Sequence, residues 1–312
     1  MSAALPPWSW AGPRLEPALR GIAWPSQALA AAAADPERAI ARVRFSPFSH
    51  VLLALDHGAH RSFVTRAHLQ VWGVSAQVAL AQACAGVVPA EGLEAHPLGW
   101  RLRGDNAVSQ LVLPGFLRAF RDQCGEEVVA AAPLTDLLVI APASRALALL
   151  DYARAAWEQG AVPVVAYLFA DGADGVTLWR PSAEHPAARA QADAILRTAR
   201  RAYREQTDAV EASYDVRFAP LGLLTDDAGA LLSVAACTQG VDAWLPLAEL
   251  VVLHPSEGAA LWVRLTDLVA VLGDAVAQVE DLAPERLRLR RWPTSDEWRS
   301  LAARAVPERS GG

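Results

Sequence analysis

The chain has 312 residues, a formal net charge of −6, 53% hydrophobic residues and 20% charged residues, and all 28 of its basic residues are arginine. This composition predicts a folded protein with a large core, and the negative charge argues against general binding to a nucleic-acid backbone. Without lysine, the chain cannot form a pyridoxal-phosphate Schiff base, a Walker phosphate loop or a kinase catalytic centre.

The first part of the chain combines an N-terminal arm with strands and helices. Residues 1–38 are rich in proline and tryptophan and predict an extended arm followed by a short helix that begins after Ser26. Apolar runs and turn residues then predict strands within 39–65, helices over 66–72 and 75–85, a strand over 99–102 and a helix over 107–120.

The rest of the chain continues this mixture. Its patterns predict strands over 128–132 and 137–141, a helix over 144–158, a hairpin of strands over 162–169 and 176–179, and a long helix over 183–206. Further strands are predicted over 214–218, 222–224, 230–235, 250–253, 260–265 and 286–290, with helices over 266–276 and after a capping box formed by Thr294 and Glu297.

Because strands and helices do not alternate strictly, the order of elements favours an α+β fold over a doubly wound α/β sheet. We expect mixed, mostly antiparallel sheets with flanking helices. Three regions are predicted: an N-terminal arm and short helix over 1–38, a first α+β half over 39–165, and a second α+β half with a C-terminal helix over 166–312.

Two similar stretches predict an internal repeat. Residues 133–142 and 246–255 each consist of a proline, an acidic turn, an apolar run and a second proline. An apolar run bounded by turn residues is typical of a fully buried strand. We therefore expect two related halves, each with this strand at its centre, and we expect Asp136 and Glu249 to be turn groups rather than catalysts.

The best candidate for chemistry is the polar group formed by Asp56, His57, His60 and His68. Two imidazoles three residues apart beside a carboxylate are able to ligate a metal, which would activate a water molecule. The other interpretation is a solvent-facing turn between two strands, with His68 on the next element. The sequence favours the turn, because no His-Glu-x-x-His motif is present.

Three further patterns have both a functional and a structural interpretation. Asp171 and Asp174 lie in a glycine-rich stretch, but the turn chemistry favours a hairpin over a calcium loop. The alternating arginines at 286–290 are more typical of an edge strand than of a phosphate site. The polar face of the long helix either binds an anionic partner or lies in solvent; its arginines are Arg197, Arg200, Arg201 and Arg204.

Cysteine spacing and hydropathy predict a cytoplasmic protein. Cys84, Cys124 and Cys237 form no Cys-x-x-Cys pair, so neither a disulfide framework nor a zinc site is expected. The N-terminus lacks a signal-peptide pattern, and prolines and charged residues interrupt the most apolar stretch, 128–150. We expect no membrane association, no metal and no cofactor.

Four short segments resemble the YtpQ-like family of bacterial proteins. They are Trp72-Gly73-Val74, the apolar segment 111–114, the strand at 133–138 and the strand at 245–249, which occur in the order of that family. The resemblance covers roughly residues 65–280 and implies no particular activity and no catalytic residues. The second strand has Glu249 in place of an aspartate, and the arm before residue 40 has no counterpart.

The sequence contains no compact catalytic set. We therefore predict a non-catalytic cytoplasmic binding or protein-interaction module, with a protein as the expected partner and neither nucleic acid nor a membrane. The chain has eleven tryptophans, which we expect in the core and as anchors of an interface. The alternative is a metal-dependent hydrolase that uses Asp56, His57 and His60.

Overall fold

The computed structural model describes residues 6–21, 39–87, 92–279 and 282–308. Strands and helices are both abundant and most strand pairs are antiparallel, which confirms the predicted α+β class. The chain forms two compact units, Met1–Ile195 and Leu196–Gly312. This division lies later in the chain than the boundary predicted after residue 165. No helix of the described residues is long and apolar enough to span a bilayer.

The first unit begins with a four-stranded antiparallel sheet in which β3 pairs with β1, β2 and β4. The elements are α1 (Trp8–Ala11), β1 (Leu15–Gly21), β2 (Arg42–Ser46), β3 (Ser49–Asp56) and β4 (Arg61–Phe63). The predicted arm therefore contains a strand of a sheet. The short helix predicted after Ser26 lies outside the described residues.

A six-stranded antiparallel sheet completes the first unit, with the strand order β10-β9-β7-β8-β6-β5. In chain order the elements are α2 (Arg66–Trp72), α3 (Ala76–Gly86), β5 (Glu94–His96), β6 (Gly99–Arg103), α4 (Phe116–Cys124), β7 (Val128–Leu134), β8 (Leu137–Pro142), α5 (Ala146–Gln159), β9 (Leu168–Gly172) and β10 (Gly175–Leu178). The inner strands β7 and β8 are almost completely buried, as their continuous apolar sequences predict.

A buried polar network joins the β2–β3 turn to the segment before β9. The Tyr167 hydroxyl lies 2.5 Å from Ser46 Oγ, which is also hydrogen-bonded to Ser49 Oγ. Burial raises the pKa of Tyr167, so the phenol stays neutral and can donate a hydrogen bond. Because buried hydroxyls without partners are destabilising, this network fixes the turn against the core.

The second unit contains two four-stranded mixed sheets, β11-β14-β18-β17 and β12-β13-β15-β16, and α6 spans the division between the units. The elements are α6 (Ala188–Val210), β11 (Arg217–Phe218), β12 (Gly222–Thr225), β13 (Leu231–Thr238), β14 (Ala243–Pro246), β15 (Leu250–His254), β16 (Leu261–Arg264), α7 (Leu265–Leu272), β17 (Val276–Val279), β18 (Arg286–Leu289) and α8 (Ser295–Ala302). Only the β11–β14 and β13–β15 pairs are parallel among the described strands.

Several predicted elements differ in their bounds, among them the long helix, which spans Ala188–Val210 rather than 183–206. The helix expected over 107–120 is a 3₁₀ segment, Ala107–Val112, followed by α4, because Pro114 and Gly115, with a φ of 74°, interrupt the chain between them. The strand expected over 162–169 begins only at Leu168. The helix expected from residue 266 begins at Leu265 without a side-chain cap. The capping box of Thr294 and Glu297 is present as predicted.

The two stretches of the predicted repeat both form buried inner strands. β8 lies between β7 and β6, both antiparallel to it, whereas β15 lies between the parallel β13 and the antiparallel β16. Their turn groups are both exposed but differ in contacts, since Glu249 Oε2 accepts a 2.9 Å hydrogen bond from the Ser233 amide and the Asp136 carboxylate has no such bond among the described residues. The surroundings of the two strands are therefore not alike, and the internal repeat stays a prediction from sequence.

Candidate functional site

A charged cleft of about 440 Å³ opens in the first unit beside β1, the end of β3 and the segment before the 3₁₀ helix. Its polar lining has five charged residues and three uncharged ones, namely Arg14, Glu16, Asp56, Arg61, Asp105, Asn106, Ser109 and Gln110. Ligand sites of proteins have volumes of roughly 300–1,000 Å³ and a few convergent polar groups. The cleft therefore has the size and the lining of a site for a small molecule.

Asn106 is positioned by its backbone and by a long-range hydrogen bond. It is the single asparagine of the chain, and its φ of 59° is the one positive φ among the described residues other than glycine. Asparagine tolerates this left-handed conformation better than most residues do. The Asn106 Oδ1 atom accepts a 2.5 Å hydrogen bond from Arg20 Nη2, which leaves the Asn106 NH₂ group without an acceptor among the described residues.

The floor of the cleft is neutral and largely buried. Ser109 is 5% exposed and Gln110 is 8% exposed. The Ser109 Oγ atom accepts a 3.0 Å hydrogen bond from the Leu19 amide and so attaches the 3₁₀ segment to the outer edge of β1. The Ser109 hydroxyl proton has no acceptor among the described residues and is available to a molecule in the cleft.

The rim of the cleft carries charges of both signs that already interact with other groups. Arg61 Nη2 lies 3.1 Å from Glu16 Oε2. The Arg14 guanidinium lies 4.5 Å from the centroid of the Trp10 ring, which is the geometry of a cation–π contact. Asp56 Oδ1 accepts a 2.7 Å hydrogen bond from the Gly58 amide, and Oδ2 has no hydrogen-bond donor among the described residues.

Arg20 does not line the cleft but is held next to it by its hydrogen bond to Asn106. Burial lowers the pKa of Arg20, the Arg61 guanidinium lowers it further, and the Asp105 carboxylate opposes both effects. Arg20 therefore compensates part of the negative charge that Asp105 brings to the cleft.

The histidines predicted as metal ligands lie next to the cleft but do not converge. The rings of His57 and His60 are stacked, with centroids 4.6 Å apart and planes 10° apart. An imidazole binds a metal through a lone pair in the plane of its ring, at about 2.0–2.1 Å for zinc. Stacked rings direct their lone pairs along parallel planes rather than towards one point. The described residues contain no group of three or more His, Cys, Asp or Glu that could hold a metal ion.

His68 has a structural role at the start of α2. Its Nδ1 atom lies 2.6 Å from Thr65 Oγ1 and accepts a 3.1 Å hydrogen bond from the Thr65 amide, which completes a capping box. Burial and the nearby His57 lower the pKa of His68, so the ring is neutral and able to accept. The Nδ1 atom of His68 is thus occupied by the helix cap.

His57 also forms a hydrogen bond with a hydroxyl, because its Nε2 atom lies 2.9 Å from Ser62 Oγ. This is the distance of a nucleophile and its base. However, His57 Nδ1 has no hydrogen-bond partner among the described residues, so no carboxylate orients the ring as in a triad. Ser62 is also absent from the lining of the cleft. The pair therefore lacks the orienting group of a catalytic triad.

The aspartates of the glycine-rich stretch form the hairpin that their turn chemistry predicts, with β9 pairing β10 across residues 173 and 174. The Asp171 carboxylate is almost buried and lies 3.3 Å from both the Arg118 and the Arg121 guanidinium groups. An aspartate paired with two cations is not available to a calcium ion.

Arginines on the long helix divide into paired and unpaired groups. Arg201 Nε donates a 2.7 Å hydrogen bond to Glu205 Oε1. Arg197, Arg200 and Arg204 are exposed, and none of them has an ion pair or hydrogen bond within the described residues. The exposure of these three side chains is as predicted, and the three form a cationic stripe.

The alternating arginines of β18 correct the sequence interpretation. β18 lies between β14 and β17 and is not an edge strand. Arg286 is 0% exposed. Arg288 is exposed, and its Nη2 atom lies 2.5 Å from Asp242 Oδ2 in a surface ion pair. Arg286 makes five hydrogen bonds, to Gln206 Oε1, Ala219 O, Trp244 O, Tyr203 O and Thr207 Oγ1. All five N–H groups are therefore satisfied, and Arg286 is not free to bind a phosphate.

The three cysteines are free thiols. Burial raises the pKa of Cys84 and raises that of Cys237 to about 11. A raised pKa keeps a thiol protonated and unreactive, so neither residue has the character of a nucleophile.

Comparison of the chain with protein-family models, with curated proteins and with solved structures finds no match. The resemblance to the YtpQ-like family therefore stays a prediction.

Sequence reasoning named only Asp56 of the polar residues that line the cleft. Glu16 and Arg61 are far apart in sequence, and nothing local indicates that β1 and β4 bring them together. The one available signal was the Gly104-Asp105-Asn106 sequence, since glycine, aspartate and asparagine favour turns and asparagine tolerates a left-handed backbone.

Proposed function

We propose that the chain is a non-catalytic binding protein and that the charged cleft of its first unit binds a small polar molecule. The observation that carries this proposal is the cleft itself, where neutral buried groups of the floor and charged groups of the rim converge on about 440 Å³. The absence of an oriented nucleophile and of a metal-binding group among the described residues supports binding over catalysis.

Gly86 provides a way to close the cleft without disturbing the fold. It ends α3, lines the cleft and has no positive φ. A Cβ added there would meet no atom of the described residues within 4 Å. A Gly86→Phe variant should therefore fold normally and fill the cleft, and Ala85→Phe, on the exposed neighbouring position of α3, is the matched control.

The test is ligand-detected NMR with a mixture of small polar metabolites. We expect at least one compound to bind to the wild-type protein and to Ala85→Phe, and to lose binding in Gly86→Phe. The same samples are followed for a day, and the bound compound should persist unchanged. Binding that survives in Gly86→Phe would contradict the site, and conversion of the compound by the wild type but not by Gly86→Phe would contradict the non-catalytic role.

A second candidate function is the binding of an acidic protein partner, which the exposed cationic stripe of Arg197, Arg200 and Arg204 favours. Reversal of two charges, Arg200→Glu with Arg204→Glu, should abolish binding of a poly-glutamate peptide and leave the circular dichroism spectrum unchanged. Arg154→Glu, on an exposed position of α5, is the control and should bind as the wild type does. Equal binding by both variants would remove this candidate.

The cytoplasmic location and the family resemblance predicted from the sequence are part of this proposal. Free and partly buried thiols are typical of a reducing compartment, which supports a cytoplasmic location. Membership of a YtpQ-like bacterial family belongs to the same proposal and rests on the four short segments quoted above.

A further inference from the structure

We infer that the cleft selects a neutral polyhydroxylated molecule, such as a monosaccharide or a cyclic polyol. This inference rests on the proposed function of the cleft as a binding site. It goes beyond that function by naming the class of ligand, and it follows from the Glu16–Arg61 ion pair of the rim and from the uncharged groups of the floor.

Two of the rim charges neutralise each other, and a third is partly compensated. Glu16 and Arg61 form an ion pair at 3.1 Å, and Arg20, bound to Asn106, opposes the charge of Asp105. An ion pair attracts a charged ligand only weakly, because one member of the pair attracts the ligand and the other repels it. A carboxylate and a guanidinium nevertheless keep unused lone pairs and N–H groups after forming one contact.

A hydroxyl group matches these remaining sites because it is both donor and acceptor. Beside the Glu16–Arg61 pair, one hydroxyl can donate to the carboxylate and accept from the guanidinium. Two vicinal hydroxyls can share the same pair. Asp56 Oδ2 and the Asp105 carboxylate provide further acceptors on the rim.

The floor of the cleft extends the same pattern with neutral groups. The Ser109 hydroxyl proton and the Asn106 NH₂ group have no acceptor among the described residues, so both can donate to a ligand. The floor gives no counter-ion to an ammonium or carboxylate group that reaches it, and burying an unpaired charge is strongly unfavourable. Hydroxyl oxygens satisfy these donors without that cost.

The experiment is isothermal titration calorimetry of the full chain with D-glucose, D-ribose and myo-inositol as neutral probes, and with putrescine, citrate and glycine betaine as charged ones. Each titration is run at low and high NaCl. A neutral polyol should bind with an affinity that salt changes by less than about twofold, since screening acts only on charges. Gly86→Phe should abolish this binding, whereas Ala85→Phe should keep it.

A second pair of variants keeps the test independent of Gly86. Asp105→Asn removes one charged acceptor of the rim and should weaken polyol binding by about tenfold. Asp174→Asn makes the same change in the exposed β9–β10 turn and should have no effect. Thermal melts of all four variants show whether each is folded.

The outcomes separate the ligand class from the site. Polyol binding that is lost in Gly86→Phe and weakened in Asp105→Asn supports the inference. Binding of putrescine, citrate or glycine betaine instead, lost in Gly86→Phe, overturns the ligand class and leaves the cleft as a binding site. Binding that survives in a folded Gly86→Phe, or no binding by any probe, overturns both proposals.

Discussion

Arg286 shows how a cation can be buried without a carboxylate in contact. Its guanidinium donates only to neutral oxygens, and its Cζ atom lies 4.7 Å from the centroid of the Phe218 ring and 5.0 Å from that of Tyr203. Burial lowers the pKa of Arg286 to about 10, and it stays charged at neutral pH. The residue is therefore a cross-link between α6, β14 and the loop before β12, and its charge is stabilised by many dipoles rather than by one anion.

Replacing Arg286 by methionine should strongly destabilise the second unit. Five oxygens would lose a donor, although Trp244 O keeps the Ala219 amide and Tyr203 O keeps the Thr207 hydroxyl. Each buried acceptor left unsatisfied costs about 1–3 kcal/mol before relaxation. We expect a loss of on the order of 3–5 kcal/mol in the free energy of unfolding, measured by urea denaturation. Arg288→Met, on the same strand, removes only a surface ion pair and should cost less than about 1 kcal/mol. Equal losses in the two variants would refute the cross-linking role.

His50 should make the stability of the chain depend on pH. Burial, with the charges of Arg42 and Arg44, lowers the pKa of His50 from 6.5 to about 3. The folded state therefore holds this ring neutral while the unfolded state binds a proton below pH 6.5, so stability is lost as the pH falls from about 6.5 towards 3. Between pH 7 and pH 5 this loss is about 2 kcal/mol.

The His50→Gln variant isolates this contribution. Other groups titrate in both proteins, so the useful quantity is the difference between the pH 7 to pH 5 losses of wild type and variant. We expect the variant to lose about 2 kcal/mol less than the wild type in urea denaturation. An identical loss in the two proteins would show that His50 titrates normally in the folded state.

At the scale of elements, local chemistry made some structures predictable and others not. The β9–β10 hairpin and the α8 capping box follow from neighbouring residues, so their sequences were sufficient. β8 was also predicted, because a strand covered on both faces is apolar throughout. The residues of β18 alternate between arginine and leucine, and this pattern does not indicate which face is covered. The sequence therefore predicted an exposed Arg286, although its hydrogen-bond acceptors lie inside, on α6, on β14 and in the loop before β12.

The burial of β8 can be tested with Leu138, which is 0% exposed. Leu138→Ala leaves a cavity between tightly packed neighbours and should cost roughly 2–5 kcal/mol in the free energy of unfolding. Leu147, on α5, is 45% exposed, so Leu147→Ala should change stability by less than about 0.5 kcal/mol. A neutral result for Leu138→Ala would place β8 at the periphery of the core.

At the scale of the whole molecule, the limit of sequence reasoning is the long-range contact. The cleft needs β1, the β3–β4 turn and the segment before the 3₁₀ helix to meet, and each contributes a residue type that is ordinary in its own segment. Glu16 and Arg61 are typical surface residues until the sheet pairs their strands with β3. Composition and periodicity thus predict the α+β class, whereas the site depends on which segments the topology brings together.

The two compact units should respond separately to damage in their cores, because each has its own buried residues. Leu138→Ala weakens packing in the first unit, and Arg286→Met removes hydrogen bonds in the second. In hydrogen–deuterium exchange followed by mass spectrometry, we expect Leu138→Ala to accelerate exchange in peptides before residue 188 and Arg286→Met to do so in peptides after residue 210. Peptides from α6 are left out because that helix spans the division. If either variant accelerates exchange across both units, the chain unfolds as one cooperative structure and the division at Ile195 has no thermodynamic meaning.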